Sequence, residues 1–246
     1  MNTRVKAIIF DLHGTVAFQT TEVSTIIDET FNVLVRDVGS VVKQKDYLKA
    51  WEFFGNKYQT ATKQGIKLLL EGKNSEAEKV LREYPFDNNI KVILQYLRVL
   101  PNPNLIETMT FAFQSKWVAG LFVPISSFRI IQYLYKKVPL TLISNFQDAR
   151  LLRNWLSQKG LDVFFNGRIL ISEEIGVRKP HPLMFELAED RLKKIASREE
   201  ILCIGNDPVE DIFAPQLLGM QVVLVSQQKI YDGKHIKKLD ELEAFV

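Results

Sequence analysis

The stretch IIFDLHGTVAF, residues 8–18, indicates both the fold and the place of the chemistry. It continues a run of branched and aromatic residues from Val5 to Phe10, which is typical of a parallel strand buried on both faces. The run ends directly at a carboxylate, Asp11, and a turn follows at Gly14. Because open parallel sheets bind ligands at the carboxyl ends of their strands, Asp11 is a candidate functional residue.

Composition excludes several classes of protein. The 246 residues are 46% hydrophobic and 25% charged, which is ordinary for a globular chain. The net charge of +3 comes without a block of basic residues and interleaved aromatics, so we expect no nucleic-acid partner. No apolar run approaches the ~20 residues of a membrane span, and the chain opens on a strand pattern and not on a leader. With a single cysteine, Cys203, inside an apolar run, these features predict a cytoplasmic protein.

The second half of the chain alternates between strand and helix patterns. Four short apolar runs resemble the first, at residues 139–143 (PLTLI), 168–171 (RILI), 201–204 (ILCI) and 221–225 (QVVLV). Helical periodicity lies between and beside them, at residues 126–137, 148–159, 182–195 and 208–218. This alternation predicts an α/β fold with a doubly wound parallel sheet.

Residues from about 20 to about 122 carry helical periodicity and no convincing strand. Their apolar stripes are typical of packing between helices. A stretch of this length after the first strand is large enough to form its own domain. We therefore predict a sheet domain of residues 1–16 and 123–246 with an inserted α-helical domain of residues 17–122.

The strand ends resemble the four motifs of the haloacid dehalogenase-like (HAD) hydrolase superfamily. FDLHGT at residues 10–15 resembles its first motif, DxDxT, and LISN at residues 142–145 resembles the second. GVRKPHPLMF at residues 176–185 resembles the third, and IGNDPVEDIFAP at residues 204–215 resembles the fourth. The resemblance covers residues 1–16 and about 123–230. It implies a HAD-like Rossmannoid core in which the helical insert is the cap domain.

The resemblance also implies roles for the matched residues. Asp11 would be the nucleophile that forms a covalent intermediate, and Lys179 would offset charge between Asp11 and a phosphoryl group. Substrate contacts would come from Thr15, Ser144 and Asn145, although a threonine at this place also serves to hold the turn. A Mg²⁺ cofactor would be bound by Asp11, the main-chain carbonyl of His13, Asn206 and Asp211, all of which offer the hard oxygen ligands that this ion prefers.

Two residues depart from the family pattern. His13 stands where the family's phosphatases have an acid/base aspartate, and a histidine titrates near neutrality and could replace it. The alternative is that His13 only packs under the cap. Asn206 stands where the family usually has an acid that binds the metal. Asp207 offers a second register for the metal, but successive side chains at a strand end point in opposite directions, and we favour Asn206.

Three functions are compatible with these residues. The first is a Mg²⁺-dependent phosphatase of a small phosphorylated metabolite, supported by the lysine and the acidic fourth motif. The second is a carbon–halogen hydrolase, although the family's dehalogenases have a tyrosine at the place of His13. The third is a catalytically impaired HAD-like protein that binds a ligand or partner. Among the neighbouring residues, we expect Arg178 and Glu210 to be solvated and His181 to be a loop residue.

Overall fold

The computed structural model describes residues 4–228 and 230–245. Within them the chain divides into two compact units. The first contains residues 4–18, 81–83 and 122–245, and the second contains residues 19–80 and 84–121. The prediction assigned residues 81–83 to the helical domain. They lie in the first unit because their main chain pairs with residues 176–178.

The first unit contains a six-stranded parallel sheet, which confirms the predicted fold class. Its strand order is β5-β4-β1-β6-β7-β8. The strands are β1 (Ala7–Asp11), β4 (Leu140–Ser144), β5 (Ile169–Ile171), β6 (Ile201–Gly205), β7 (Gln221–Val225) and β8 (His235–Ile236). All residues of β1, β4, β5 and β6 are buried, as the continuous apolar runs predict. β8 was not predicted, because two residues show no periodicity.

Two further strands, β2 (Phe18–Gln19) and β3 (Leu121–Phe122), pair with each other where the chain passes between the units. Neither was predicted from the sequence, because each has only two residues. Thr20 N donates to the main-chain oxygen of Gly120 at 2.9 Å, and Thr20 Oγ1 donates to the same atom at 2.8 Å. The outgoing and returning segments are therefore bonded side by side.

The second unit is helical, as predicted. Its helices are α1 (Val23–Val38), α2 (Gln44–Leu70), α3 (Asn74–Val80), α4 (Asp87–Tyr96) and α5 (Pro103–Ala119). They enclose an aromatic core in which Phe113 stacks on Trp51 and on Phe86, with ring centroids 5.0 and 4.6 Å apart. Helical spacing in the sequence predicted this packing. None of the helices among the described residues is long and apolar enough to span a bilayer.

The helices beside the sheet are α6 (Ile125–Tyr135), α7 (Ala149–Gln158), α8 (Ser172–Ile175), α9 (Leu183–Asp190) and α10 (Ala214–Leu218). α9 and α10 contribute apolar residues to the core of the sheet, which includes Ile9, Phe185, Ala214 and Leu224. α9 ends five residues before the predicted boundary. The helix predicted at 208–218 opens with a π-helical segment, Pro208–Phe213. Such wider turns are frequent at functional sites.

Candidate active site

The three central strands bring most of the predicted residues to one edge of the sheet. β1 ends at Asp11, and its neighbour β4 ends at Ser144, which is buried. β6, on the other side of β1, ends at Gly205 and is followed by Asn206. The carboxyl ends of neighbouring parallel strands form the edge at which such sheets bind ligands.

The ammonium group of Lys179 joins two carboxylates at this edge. Its Nζ donates to Asp11 Oδ1 and to Asp211 Oδ1, at 2.6 Å in both cases. The exposed fractions of the side chains are 2% for Lys179, 7% for Asp11 and 4% for Asp211. Because buried charges are unfavourable unless they are paired, each member of this triad depends on the others.

Burial and mutual charge set the pKa values within the triad. Desolvation raises the pKa of Asp11, and the positive charge of Lys179 opposes that rise. Desolvation and the charge of Asp11 raise the pKa of Asp211 to about 6. Burial by itself would lower the pKa of Lys179. The negative charges of Asp11 and Asp211 are the largest opposing effects, and the pKa is raised above its ordinary value. Lys179 is therefore positively charged at neutral pH.

The second carboxylate oxygen of Asp11 is not satisfied by the protein. Asp11 Oδ2 is buried and has no hydrogen-bond partner among the described residues. A buried carboxylate oxygen in this state is costly unless a bound group compensates it. The atom is consequently the place in the triad where a cation or an electrophile would be stabilised.

The turn after β1 is in close contact with the side chain of Asn206. Gly14 has a φ of +86°, which favours glycine, and its N–H donates to the main-chain oxygen of Ala17 at 2.7 Å. A Cβ at residue 14 would lie 2.6 Å from the side-chain nitrogen of Asn206. Thr15 Oγ1 donates to Asn206 Oδ1 at 3.1 Å. Thr15 therefore holds the fourth-motif side chain against the first-motif turn.

The side chain of Asp207 has a different role. Its Oδ1 accepts from the main-chain nitrogens of Val209 at 2.7 Å and Glu210 at 3.0 Å. This is the N-cap arrangement, which satisfies the free N–H groups at the start of a helical segment. Of the two neighbours, Asn206 is the one whose side chain contacts the turn after β1, and this is the register that the sequence favoured.

Asp211 also holds the turn after β6. Its Oδ2 accepts from the main-chain nitrogens of Asn206 and Asp207, at 3.0 Å each, while its Oδ1 accepts from Lys179. A Cβ at Gly205 would lie 2.2 Å from the Cβ of Asp211, so glycine is required for this approach. Asp211 thus links the fourth motif to the lysine, with both of its oxygens bonded.

The side chain of Asn145 binds the peptide groups of Lys179. Its Oδ1 accepts from Lys179 N at 2.8 Å, and its Nδ2 donates to Lys179 O at 3.2 Å and to Glu210 Oε2 at 3.0 Å. The family resemblance assigned Asn145 to the substrate, and in the structure its side chain also holds the loop that carries Lys179. Sequence spacing carries no signal for a contact between residues 34 positions apart.

His13 lies in the turn after β1, and it is exposed. Partial desolvation and the positive charge of Lys179 lower its pKa below the ordinary value of 6.5. Its imidazole is therefore neutral at pH 7 and able to accept a proton. The assignment of His13 as an acid/base group stays a prediction.

Two neighbours differ from the sequence-based expectation, and a third, His181, lies in a loop as expected. Arg178 is 3% exposed and is not solvated, and His181 is buried, with its Nδ1 accepting from the main-chain nitrogen of Leu183 at 3.2 Å. Glu210 is partly buried and bonded to Asn145, and desolvation raises its pKa. The expectation that Arg178 and Glu210 are solvated was wrong, because the third and fourth motifs fold against each other.

The oxygen donors of this edge fit Mg²⁺ in their chemistry. Across the described parts of the chain, no three His, Cys, Asp or Glu side chains are grouped as metal ligands. The available donors are the open Asp11 Oδ2, the amide oxygen of Asn206 and main-chain carbonyls of the turn. Magnesium prefers hard oxygen ligands and keeps several waters, so it needs few protein groups.

Known proteins resemble the chain over most of its length. The family model of the haloacid dehalogenase-like hydrolases matches residues 5–219. The (S)-2-haloacid dehalogenase 2 of Pseudomonas sp. (strain CBS-3) is 23% identical over 229 residues, covering 92% of this chain and 85% of that protein. The glyceraldehyde 3-phosphate phosphatase of Pyrococcus abyssi (strain GE5 / Orsay) is 25% identical over 173 residues, covering 68% of this chain and 70% of that protein.

A solved structure shows the same fold. The HAD-hydrolase YfnB from Bacillus subtilis, bound to magnesium, superposes with a TM-score of 0.62 at 20% identity and covers 98% of both chains. The family model spans far more than half of the sequence. The chain belongs to the haloacid dehalogenase-like hydrolase family.

Proposed function

We propose that this hydrolase is a Mg²⁺-dependent phosphatase that acts on a small phosphorylated metabolite through an aspartyl-phosphate on Asp11. The observation that carries the proposal is the pairing of Asp11 with Lys179 at 2.6 Å, together with the open Oδ2 of the same carboxylate. A buried carboxylate at a strand end, paired with a lysine, is a nucleophile that is held in place. The similarity to a phosphatase over 68% of the chain supports the substrate class.

The first step is attack of the Asp11 carboxylate on the phosphorus atom. An oxygen–phosphorus bond forms to Asp11, the bond from phosphorus to the ester oxygen breaks, and the leaving oxygen takes a proton. Lys179 offsets negative charge beside the carboxylate, and the Ser144 hydroxyl is assigned to a phosphoryl oxygen. When bound, Mg²⁺ would neutralise charge on the transferring group. It would be held by Asp11, Asn206 and the main-chain carbonyl of His13, with Asp211 orienting the site.

The second step returns the enzyme to its starting state. Water attacks the phosphorus atom of the aspartyl-phosphate, inorganic phosphate leaves, and the Asp11 carboxylate is regenerated. We assign His13 to the proton transfers: its protonated form, the minor form at pH 7, would give a proton to the leaving alcohol in the first step, and the resulting neutral imidazole would take a proton from the attacking water in the second.

A carbon–halogen hydrolase is the second candidate, and one comparison favours it. The haloacid dehalogenase relative matches 92% of this chain, more than the phosphatase relative does. In this reaction Asp11 displaces halide from carbon, and water then cleaves the resulting ester. The third candidate is a HAD-like protein that binds a ligand without turnover.

One experiment distinguishes the three candidates. Hydrolysis of an activated aryl phosphate is measured with Mg²⁺ and with EDTA, beside halide release from a 2-haloacid, using wild type and Asp11→Asn. We expect phosphate release that needs both Mg²⁺ and Asp11. Halide release that needs Asp11 without Mg²⁺ would contradict the proposal in favour of the dehalogenase. No activity above Asp11→Asn on either substrate would favour the binding protein.

A further inference from the structure

A three-residue strap, Leu81–Glu83, pairs with the loop that carries Lys179. The main-chain nitrogen of Arg178 donates to Leu81 O at 3.0 Å, and Glu83 N donates to Gly176 O at 2.9 Å. Between these bonds Arg82 and Val177 form an antiparallel bridge. The strap therefore extends the lysine loop as a short ladder that ends one residue before Lys179.

The side chain of Glu83 reaches two further loops of the site. It is 7% exposed. Its Oε2 accepts from Ser172 Oγ at 2.8 Å, and its Oε1 accepts from Gln147 Nε2 at 2.9 Å. Ser172 begins α8, and Gln147 lies in the loop that follows β4. One buried carboxylate thus bonds to the segment after β5 and to the loop after β4.

The loop after β4 is the same loop that clamps Lys179. Ser172 Oγ accepts from the main-chain nitrogen of Phe146 at 2.9 Å, and Asn145 binds both peptide groups of Lys179. The strap fixes residues 176–178 through its main chain, and its glutamate fixes residues 146–147. Glu83 is consequently bonded to both loops whose mutual contact orients Lys179.

We propose that Glu83 is a positioning residue that holds the loop after β4 and the lysine loop in register, so that Lys179 is placed between Asp11 and Asp211. This inference rests on the proposed function. Glu83 lies outside all four motifs, and its hydrogen bonds to Ser172 and Gln147 reach the loops beside the site. A misplacement of about 1 Å in a catalytic group lowers rates by as much as ~100-fold, so a residue of this kind has a measurable effect on turnover.

Three variants test the proposal in the full chain. Glu83→Ala removes the carboxylate that accepts from Ser172 and Gln147. Glu83→Gln keeps the size and an acceptor oxygen, and the amide of Gln147 can turn to match it. Glu200→Ala is the control, because the Glu200 carboxylate likewise has two partners, the Lys6 ammonium and the main-chain N–H of Ser197, but lies before the amino end of β6.

The first readout is labelling of Lys179 by an amine reagent, located by mass spectrometry, which needs no activity. The buried and doubly paired Lys179 should be labelled slowly in wild type, Glu83→Gln and Glu200→Ala, and at least several-fold faster in Glu83→Ala. The second readout is turnover of the activated aryl phosphate, where we expect kcat to fall about tenfold or more in Glu83→Ala with a smaller change in KM. Far-UV circular dichroism confirms that each variant is folded.

Two results would overturn the inference. One is a folded Glu83→Ala with wild-type labelling of Lys179 and wild-type kcat. The other is a Glu83→Gln variant in which kcat falls and Lys179 labelling rises as much as in Glu83→Ala. This result would assign the effect to the charge of Glu83 and not to positioning. If Glu83→Ala does not fold, Gln147→Ala removes a single bond to Glu83, and unchanged labelling and kcat in that variant would contradict the proposal. Because labelling is independent of turnover, a wild type without phosphatase activity would refute the proposed function and leave this test intact.

Discussion

Lys179 Nζ lies 2.6 Å from Asp11 Oδ1, and both side chains are almost completely buried. A lysine in this position orients the Asp11 carboxylate and opposes the rise in its pKa that burial causes, in a place where water screens charge little. Asp211 completes the arrangement from the other side of the ammonium group, at the same distance. We therefore expect stability and the proposed catalysis to depend on the same three side chains.

Replacing Lys179 by methionine should abolish activity and lower the free energy of unfolding. Removing one partner from a buried ion pair leaves uncompensated charge, which costs about 3–5 kcal/mol. Urea denaturation measures the loss. Lys6→Met is the matched control, because Lys6 pairs with Glu200 at 2.6 Å in an exposed position and should change stability little. If both variants lost the same free energy of unfolding, the claim that the Lys179 ion pairs matter more because they are buried would be contradicted.

Gly14→Ala should impair both stability and metal-dependent activity. An alanine at positive φ costs about 1 kcal/mol, and its Cβ would also displace the Asn206 side chain. Gly160→Ala provides the comparison, since Gly160 has a φ of +65° and open space around it. We expect a similar backbone cost there with unchanged activity. Equal activity in the two variants would argue against close contact between Gly14 and Asn206.

Asn206→Asp should strengthen Mg²⁺ binding. The added carboxylate keeps the acceptor for Thr15 and places one more negative charge beside Asp11, so we expect the dissociation constant for Mg²⁺ to fall roughly tenfold or more. Isothermal titration calorimetry measures it directly. Asp207→Asn retains the N-cap and should leave the constant unchanged. If the dissociation constant for Mg²⁺ changed only in Asp207→Asn, Asp207 and not Asn206 would be the residue beside the metal.

His13→Ala should separate two classes of substrate. If His13 protonates the leaving group, kcat/KM falls steeply for phosphate esters of alcohols and little for activated aryl phosphates, whose leaving groups need no proton. The comparison of the two substrates in one variant contains its own control. An equal loss for both would assign His13 to packing or binding.

The strand ends could be predicted from the sequence because their physical basis is local. Continuous apolar runs such as residues 8–10 and 201–204 form buried parallel strands, and the carboxyl ends of such strands meet at one edge. These two rules suffice to predict that Asp11, Ser144 and Asn206 lie at the same edge of the sheet.

The hydrogen bonds between the motifs could not be predicted in the same way. The clamp from Asn145 to Lys179 and the cap at Asp207 depend on side-chain directions that spacing does not specify. Glu83 was missed because it lies in the six residues, 81–86, between α3 and α4, with no periodicity and no motif. Its burial and its bonds to Ser172 and Gln147 arise only in the folded chain.

Trapping the covalent intermediate tests the central claim most directly. Wild type is mixed with the activated aryl phosphate and Mg²⁺, quenched in acid during turnover, digested and mapped by mass spectrometry, with Asp11→Asn in parallel. We predict the mass of one phosphoryl group on the peptide that contains Asp11, and none in Asp11→Asn. Turnover without any phosphorylated Asp11, or a phosphoryl group on another residue, would contradict Asp11 as the nucleophile.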